Sequence, residues 1–105
     1  MSGGGSFSSD QTTLLLDTVG ADTLARAGRA RITSIQAKGI ASSKLELNDA
    51  ATAGAAGAGN LVATYNFGTE GLEVYVPGSG ILFDKGIVYE LTGAGGSVTL
   101  TITGG

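Results

Sequence analysis

Glycine sets the limits of this chain. Nineteen of its 105 residues are Gly, and they cut the apolar segments into short pieces. Gly inside a helix is destabilising by roughly 0.5–1 kcal/mol relative to Ala, so a chain interrupted this often has little room for long helices. The one segment with helical spacing is ADTLARAGRA, residues 21–30, where Leu24, Ala27 and Gly28 share a face. Gly28 weakens even that stretch, which reads as a loop or at most one turn.

The pieces between the glycines alternate with the period of a strand. TLLLDTV is a short apolar run flanked by Thr and Val and ended by Gly20. RARITSIQA carries Ile32 and Ile35 three apart, which breaks strict alternation. A β-bulge between them restores both to one face. KLELND puts Leu45 and Leu47 on one side and Glu46 on the other. An Ala/Gly loop, AATAGAAGAGN, occupies residues 50–60 and is near the upper length for an ordinary loop. LVATYNF aligns Leu61, Ala63, Tyr65 and Phe67, and GLEVYVP aligns Leu72, Val74 and Val76 against Glu73 and Tyr75. Pro77 has no N–H to donate and marks a strand end or an edge. GILFD offers Ile81 and Phe83. After a turn at Asp84-Lys85-Gly86, IVYEL sets Ile87, Tyr89 and Leu91 against Val88 and Glu90. The last segment, SVTLTIT, sets Val98, Leu100 and Ile102 against Thr99, Thr101 and Thr103.

Seven to eight short strands, separated by Gly-rich turns at intervals of about 8–15 residues, predict an all-β domain. The expected architecture is an antiparallel β-sandwich or a jelly-roll-like domain. Residues 13–105 form that single domain. Residues 1–12, Gly- and Ser-rich with Phe7 as their only large apolar side chain, read as a flexible N-terminal arm. Alternatively, the arm orders on a neighbouring subunit with Phe7 as its anchor.

Composition narrows function by exclusion. The chain has no His, no Cys and no Trp. The commonest general base, the serine triad and the thiolate zinc site are therefore missing, and the chain reads as no enzyme, with no cofactor. A net charge of −3 gives no electrostatic reason to expect nucleic acid as a partner. No stretch approaches the roughly 20 apolar residues of a membrane-spanning helix. The N-terminus lacks the basic and apolar regions of a secretory signal, so synthesis in a cytoplasm is expected. The core is thin, because much of the 42% hydrophobic content is Ala. Oligomerisation is the expected remedy.

Each candidate chemistry has a simpler structural reading. Glu70, Glu73 and Asp84 lack the dense ligand spacing of a calcium loop, so they read as solvated turn and edge charges. GAAGAGN is followed by Leu61 and a strand, not by the Gly-Lys-Ser/Thr of a phosphate loop. Arg26, Arg29 and Arg31 are half of the basic residues in six positions. They form either a partner-binding patch or the charged rim of an edge strand. The Thr ladder reads as a solvent-facing strand surface. Tyr65 and Tyr89 fall on apolar faces and belong to the core. Tyr75 shares its face with Glu73 and is a candidate contact residue, with Phe7 and the three arginines.

The segments GRARITSI, KLELNDAATAGA, LEVYVPGSGILFDKGIVYELTG and SVTLTI occur in that order between residues 28 and 103. Their arrangement resembles small β-rich virion proteins of tailed bacteriophages. The matching positions are Gly28, Arg31, Leu47 to Thr52, Pro77, Gly80, Ile81, Phe83, Gly86, Ile87 and Val98 to Ile102. Gly80 and Gly86 there flank a short strand that carries Ile81 and Phe83 inward. The resemblance implies a capsid decoration or cement protein, a homo-oligomer with a trimer favoured. Its implied partner is the major capsid protein or another virion protein, and its location is the virion. The alternative it allows is a tail- or fibre-associated knob that binds another virion protein or a host surface glycan.

Overall fold

In the computed structural model, residues 11–38, 43–78, 80–93 and 97–103 are described. Their strands are β1 Thr12–Leu16, β2 Thr23–Ala27, β3 Ala30–Lys38, β4 Lys44–Asp49, β5 Leu61–Asn66, β6 Leu72–Tyr75, β7 Ile81–Phe83, β8 Gly86–Thr92 and β9 Ser97–Thr103. They form two antiparallel sheets in a sandwich-like arrangement. One sheet, A, runs β1-β9-β3-β6, and β7 also pairs with β3. The other, B, runs β2-β8-β4-β5. Strands β6 and β7 lie end to end along one side of β3, opposite residues 34–37 and 30–32 respectively. Consecutive strands stay in one sheet at β4–β5 and β6–β7, and elsewhere the chain crosses to the other sheet.

Most of the core comes from inward positions that alternation assigned. Ile32, Ile35, Leu45, Leu47, Phe83, Ile87, Leu91, Leu100 and Ile102 are fully buried, and Leu16 and Val98 nearly so. The bulge expected in β3 is present: its pairing with β9 shifts between Ile32 and Ser34, leaving Thr33 as the extra residue. Thr33 is bonded in place. Its hydroxyl donates to the Thr101 carbonyl at 3.1 Å, and its carbonyl accepts the Val76 N–H at 2.9 Å. Tyr89 is buried as expected, and its hydroxyl oxygen accepts the Thr18 N–H at 3.2 Å. Tyr65 is partly buried against the core.

Three local expectations need correction. Residues 21–30, read as a loop or a single turn, contain β2. This strand is an edge, paired with β8 alone and bulged between Leu24 and Arg26. The bulge scrambles its alternation, while hydrogen bonding to β8 supplies the order that the local pattern lacks. TLLLDTV does not continue as one strand. β1 ends at Leu16, and Val19 bridges to Leu91 in sheet B, where the Gly20 N–H donates to the Leu91 carbonyl at 2.8 Å. Leu61 leaves the inward row of β5 because the register slips between Leu47 and Asn48, so Leu61 lies opposite Asn48 and is exposed.

The Ala/Gly loop contains two short 3-10 turns, Ala53–Ala55 and Ala58–Asn60. It is tied to sheet B where the Gly57 N–H donates to the Asn48 side-chain oxygen at 3.2 Å. Asn48 and its register neighbour Val88 are both buried, although they lie on the face of sheet B turned away from the core.

Candidate binding face

The outward face of sheet A is built by the same bulge that completes the core. Without Thr33 as an extra residue, Ile35 would point outward and Ser34 inward. The inserted residue puts Ile35 into the core and aims Ser34 and Gln36 at solvent. Register then sets Tyr75 of β6 opposite Ser34, and Ser34 opposite Thr101 of β9. One step along, Glu73 is opposite Gln36, and Gln36 is opposite Thr99. The two rows are about 7 Å apart along the strands, at roughly 3.4 Å per residue. Tyr75, Ser34 and Thr101 of the first row and Glu73 and Gln36 of the second line an open groove of about 500 Å³. Tyr75 is 80% exposed, the most exposed large hydrophobic residue among those described.

Sheet B carries a second, smaller groove on its outward face, about 300 Å³, with Asp22, Glu46 and Glu90 along it. Glu46 and Glu90 are directly opposite each other on β4 and β8. Glu90 is held above its ordinary value, first by a hydrogen bond with the Glu46 side chain. Partial burial and the charge of Asp22 act in the same direction, and Lys44 opposes them. Among the described residues, no group of three or more acidic, His or Cys side chains is arranged to hold a metal ion. No described helix is long and apolar enough to cross a membrane.

The candidate contact residues fall on different elements. Arg26 lies on edge strand β2 opposite Ile87, and Arg29 is exposed in the link to β3. Arg31 pairs with Thr103 and Leu82 in sheet A. The three are neighbours in sequence but belong to two sheets and the link between them. Tyr75 does share its face with Glu73, and the groove brings both together with Ser34, Gln36 and Thr101. Phe7 lies outside the described residues.

Sequence reading missed Ser34 and Gln36. Their outward aim follows from the bulge, and once Ile32 and Ile35 are set on one face, Ser34 and Gln36 must take the other. It also missed a pattern in the exposed apolar residues. Of the large apolar residues at least 38% exposed, Leu15, Leu24, Leu61, Val62, Tyr75 and Leu82 each sit on a strand at a sheet edge, and Val19 lies outside the named strands. Compared with protein-family models, curated proteins and solved structures, the chain matches none.

Proposed function

We propose that this chain is a non-enzymatic structural protein of a bacteriophage particle, a decoration or cement subunit that holds the assembled head through contacts between subunits. The observation that carries this reading is the placement of large apolar side chains on edge strands. Soluble proteins ordinarily protect open sheet edges with charge, proline or short strands. Here β1 presents Leu15, β2 Leu24, and β5 Leu61 and Val62. Edge strands with open N–H and C=O groups can be completed by a neighbour's strand. The phage assignment itself rests on the resemblance carried by residues 28–103.

In this reading the sandwich is jelly-roll-like, the subunits associate as trimers, and the partner is the major capsid protein. Binding the assembled lattice and not its separated subunits stabilises the lattice by mass action. The test is stoichiometry. Gel densitometry of purified particles, scaled to the major capsid protein, is expected to give hundreds of copies of this chain. A handful of copies would move it to the tail, and its absence from particles would overturn the proposal. Sedimentation of the purified protein tests the trimer.

A further inference from the structure

We infer that the groove beside Tyr75 is a binding site for uncharged carbohydrate. A sugar ring has an apolar face of C–H groups and a rim of hydroxyls, and it needs both kinds of partner. Tyr75 supplies the first, as a ring that is 80% exposed and stands beside a floor of polar side chains. An aromatic side chain of this kind offers large contact area at low conformational cost.

The rim chemistry lies at the foot of the ring. Glu73 and Gln36 are register partners on β6 and β3, and Ser34 and Thr101 continue the adjacent row from Tyr75. A carboxylate beside a carboxamide presents acceptors and donors side by side, which suits a pair of adjacent hydroxyls. Among the described residues no hydrogen bond or ion pair engages the side chains of Ser34, Gln36 or Glu73. Their bonding capacity is therefore open to a ligand.

Three further features select the ligand class. The Glu73 carboxylate and the net charge of −3 disfavour nucleic acid and other polyanions. The groove, at about 500 Å³, lies within the 300–1,000 Å³ typical of small-ligand sites. Its floor residues stand on paired strands, with Ser34 aimed by the bonded Thr33 bulge, so the site is held in shape before binding.

The test uses the purified full chain and does not depend on a particle, so its outcome is separate from that of the virion reading. Maltose, cellobiose, lactose and diacetylchitobiose are each titrated into isotopically labelled protein and followed by backbone amide NMR. At least one of them is expected to shift the amides of residues 34, 36, 73, 75 and 101. Tyr75→Ala is expected to weaken that binding at least tenfold, and Tyr75→Phe to keep most of it. Tyr75 is exposed, so both variants are expected to melt with the parent. Silence from all four sugars up to their solubility limit overturns the inference, as do shifts confined to other residues or an unchanged affinity in Tyr75→Ala. A proline-rich decapeptide or heparin shifting these amides while the sugars do not also overturns it. So does protein dilution alone shifting them, which would mark the face as a contact between copies.

Discussion

Two small side-chain facts decide how the turns of this domain are held. Asp49, at the end of β4, accepts the N–H groups of Asp84 at 3.2 Å and Lys85 at 2.8 Å, so it pins the turn between β7 and β8. Slight burial pushes its carboxyl up, but the backbone N–H groups of Lys85, Asp84 and Gly86, with the Lys85 charge, bring it below its ordinary value. Asp49→Ala is expected to lower stability by about 1 kcal/mol, less than the roughly 1.5–3 kcal/mol of hydrogen bonds to a charged group, because solvent screens the site. A lowered carboxyl stabilises the fold above its unfolded value of 3.8 and loses that contribution as pH falls through the folded value. Urea unfolding of both proteins at pH 7 and at successively lower pH should show the difference shrinking below 3.8. A difference constant with pH would remove the electrostatic account.

Gly80 is the second such residue. Its φ is +86°, and an added Cβ would stand 2.5 Å from the Ile32 carbonyl oxygen. Gly78 has φ +74° but nothing within 4 Å of that position. A left-handed residue costs roughly 1–2 kcal/mol in conformation alone. Gly78→Ala should therefore lose about that amount. Gly80→Ala should lose more, on the order of 2–4 kcal/mol, because the backbone at the bulge must also move. Equal losses in thermal melts would show that the close approach does not matter.

At the scale of elements, the sheets show what a one-dimensional pattern reveals and what it hides. β9 alternates without interruption, and its Val98, Leu100 and Ile102 went inward as the sequence predicted. β3 was legible too, because two isoleucines three apart admit few strand geometries and a bulge is the simplest. β2 was hidden because an edge strand has one partner and little alternation, so the fold and not the segment determines its state. Tyr75 was legible as an outward residue opposite the apolar row of β6. The groove around it was not, since its floor comes from β3 and β9, far away in sequence. The facing of Glu46 and Glu90 was equally hidden, because only register makes them neighbours. Like charges directly opposite on paired strands destabilise a sheet. Glu90→Gln is expected to raise stability at pH 7 by about 0.2–1 kcal/mol. The raised Glu90 carboxyl favours the fold fully below its unfolded value near 4.5 and loses that contribution as pH rises through the folded value. The gain from Glu90→Gln should therefore disappear below pH 4.5, just as the loss from Asp49→Ala shrinks on acidification, the two effects differing in sign and not in the direction of their pH trend. An unchanged melting temperature at pH 7 would refute the repulsion.

For the whole molecule, stability rests on a core of medium-sized aliphatic residues shared between two sheets. Leu100 is fully buried on β9, between β1 and β3. Leu100→Ala is expected to cost about 2–5 kcal/mol, a large share of the roughly 5–15 kcal/mol by which whole domains are stable. A variant that still melts cooperatively within a few degrees of the parent would show that subunit contacts, not this core, carry the fold. The position of β9 has a consequence for the order of assembly. It lies between strands that begin at Thr12 and Ala30, yet it is made from residues 97–103. While the chain emerges from the ribosome, β1 and β3 have no common partner, and sheet A stays open until some eighty-five further residues have followed Thr12. Closure is thus a late, long-range event of the kind that folds slowly. Until it happens, the edges of β1 and β3 that β9 will occupy keep their N–H and C=O groups unpaired in the nascent chain.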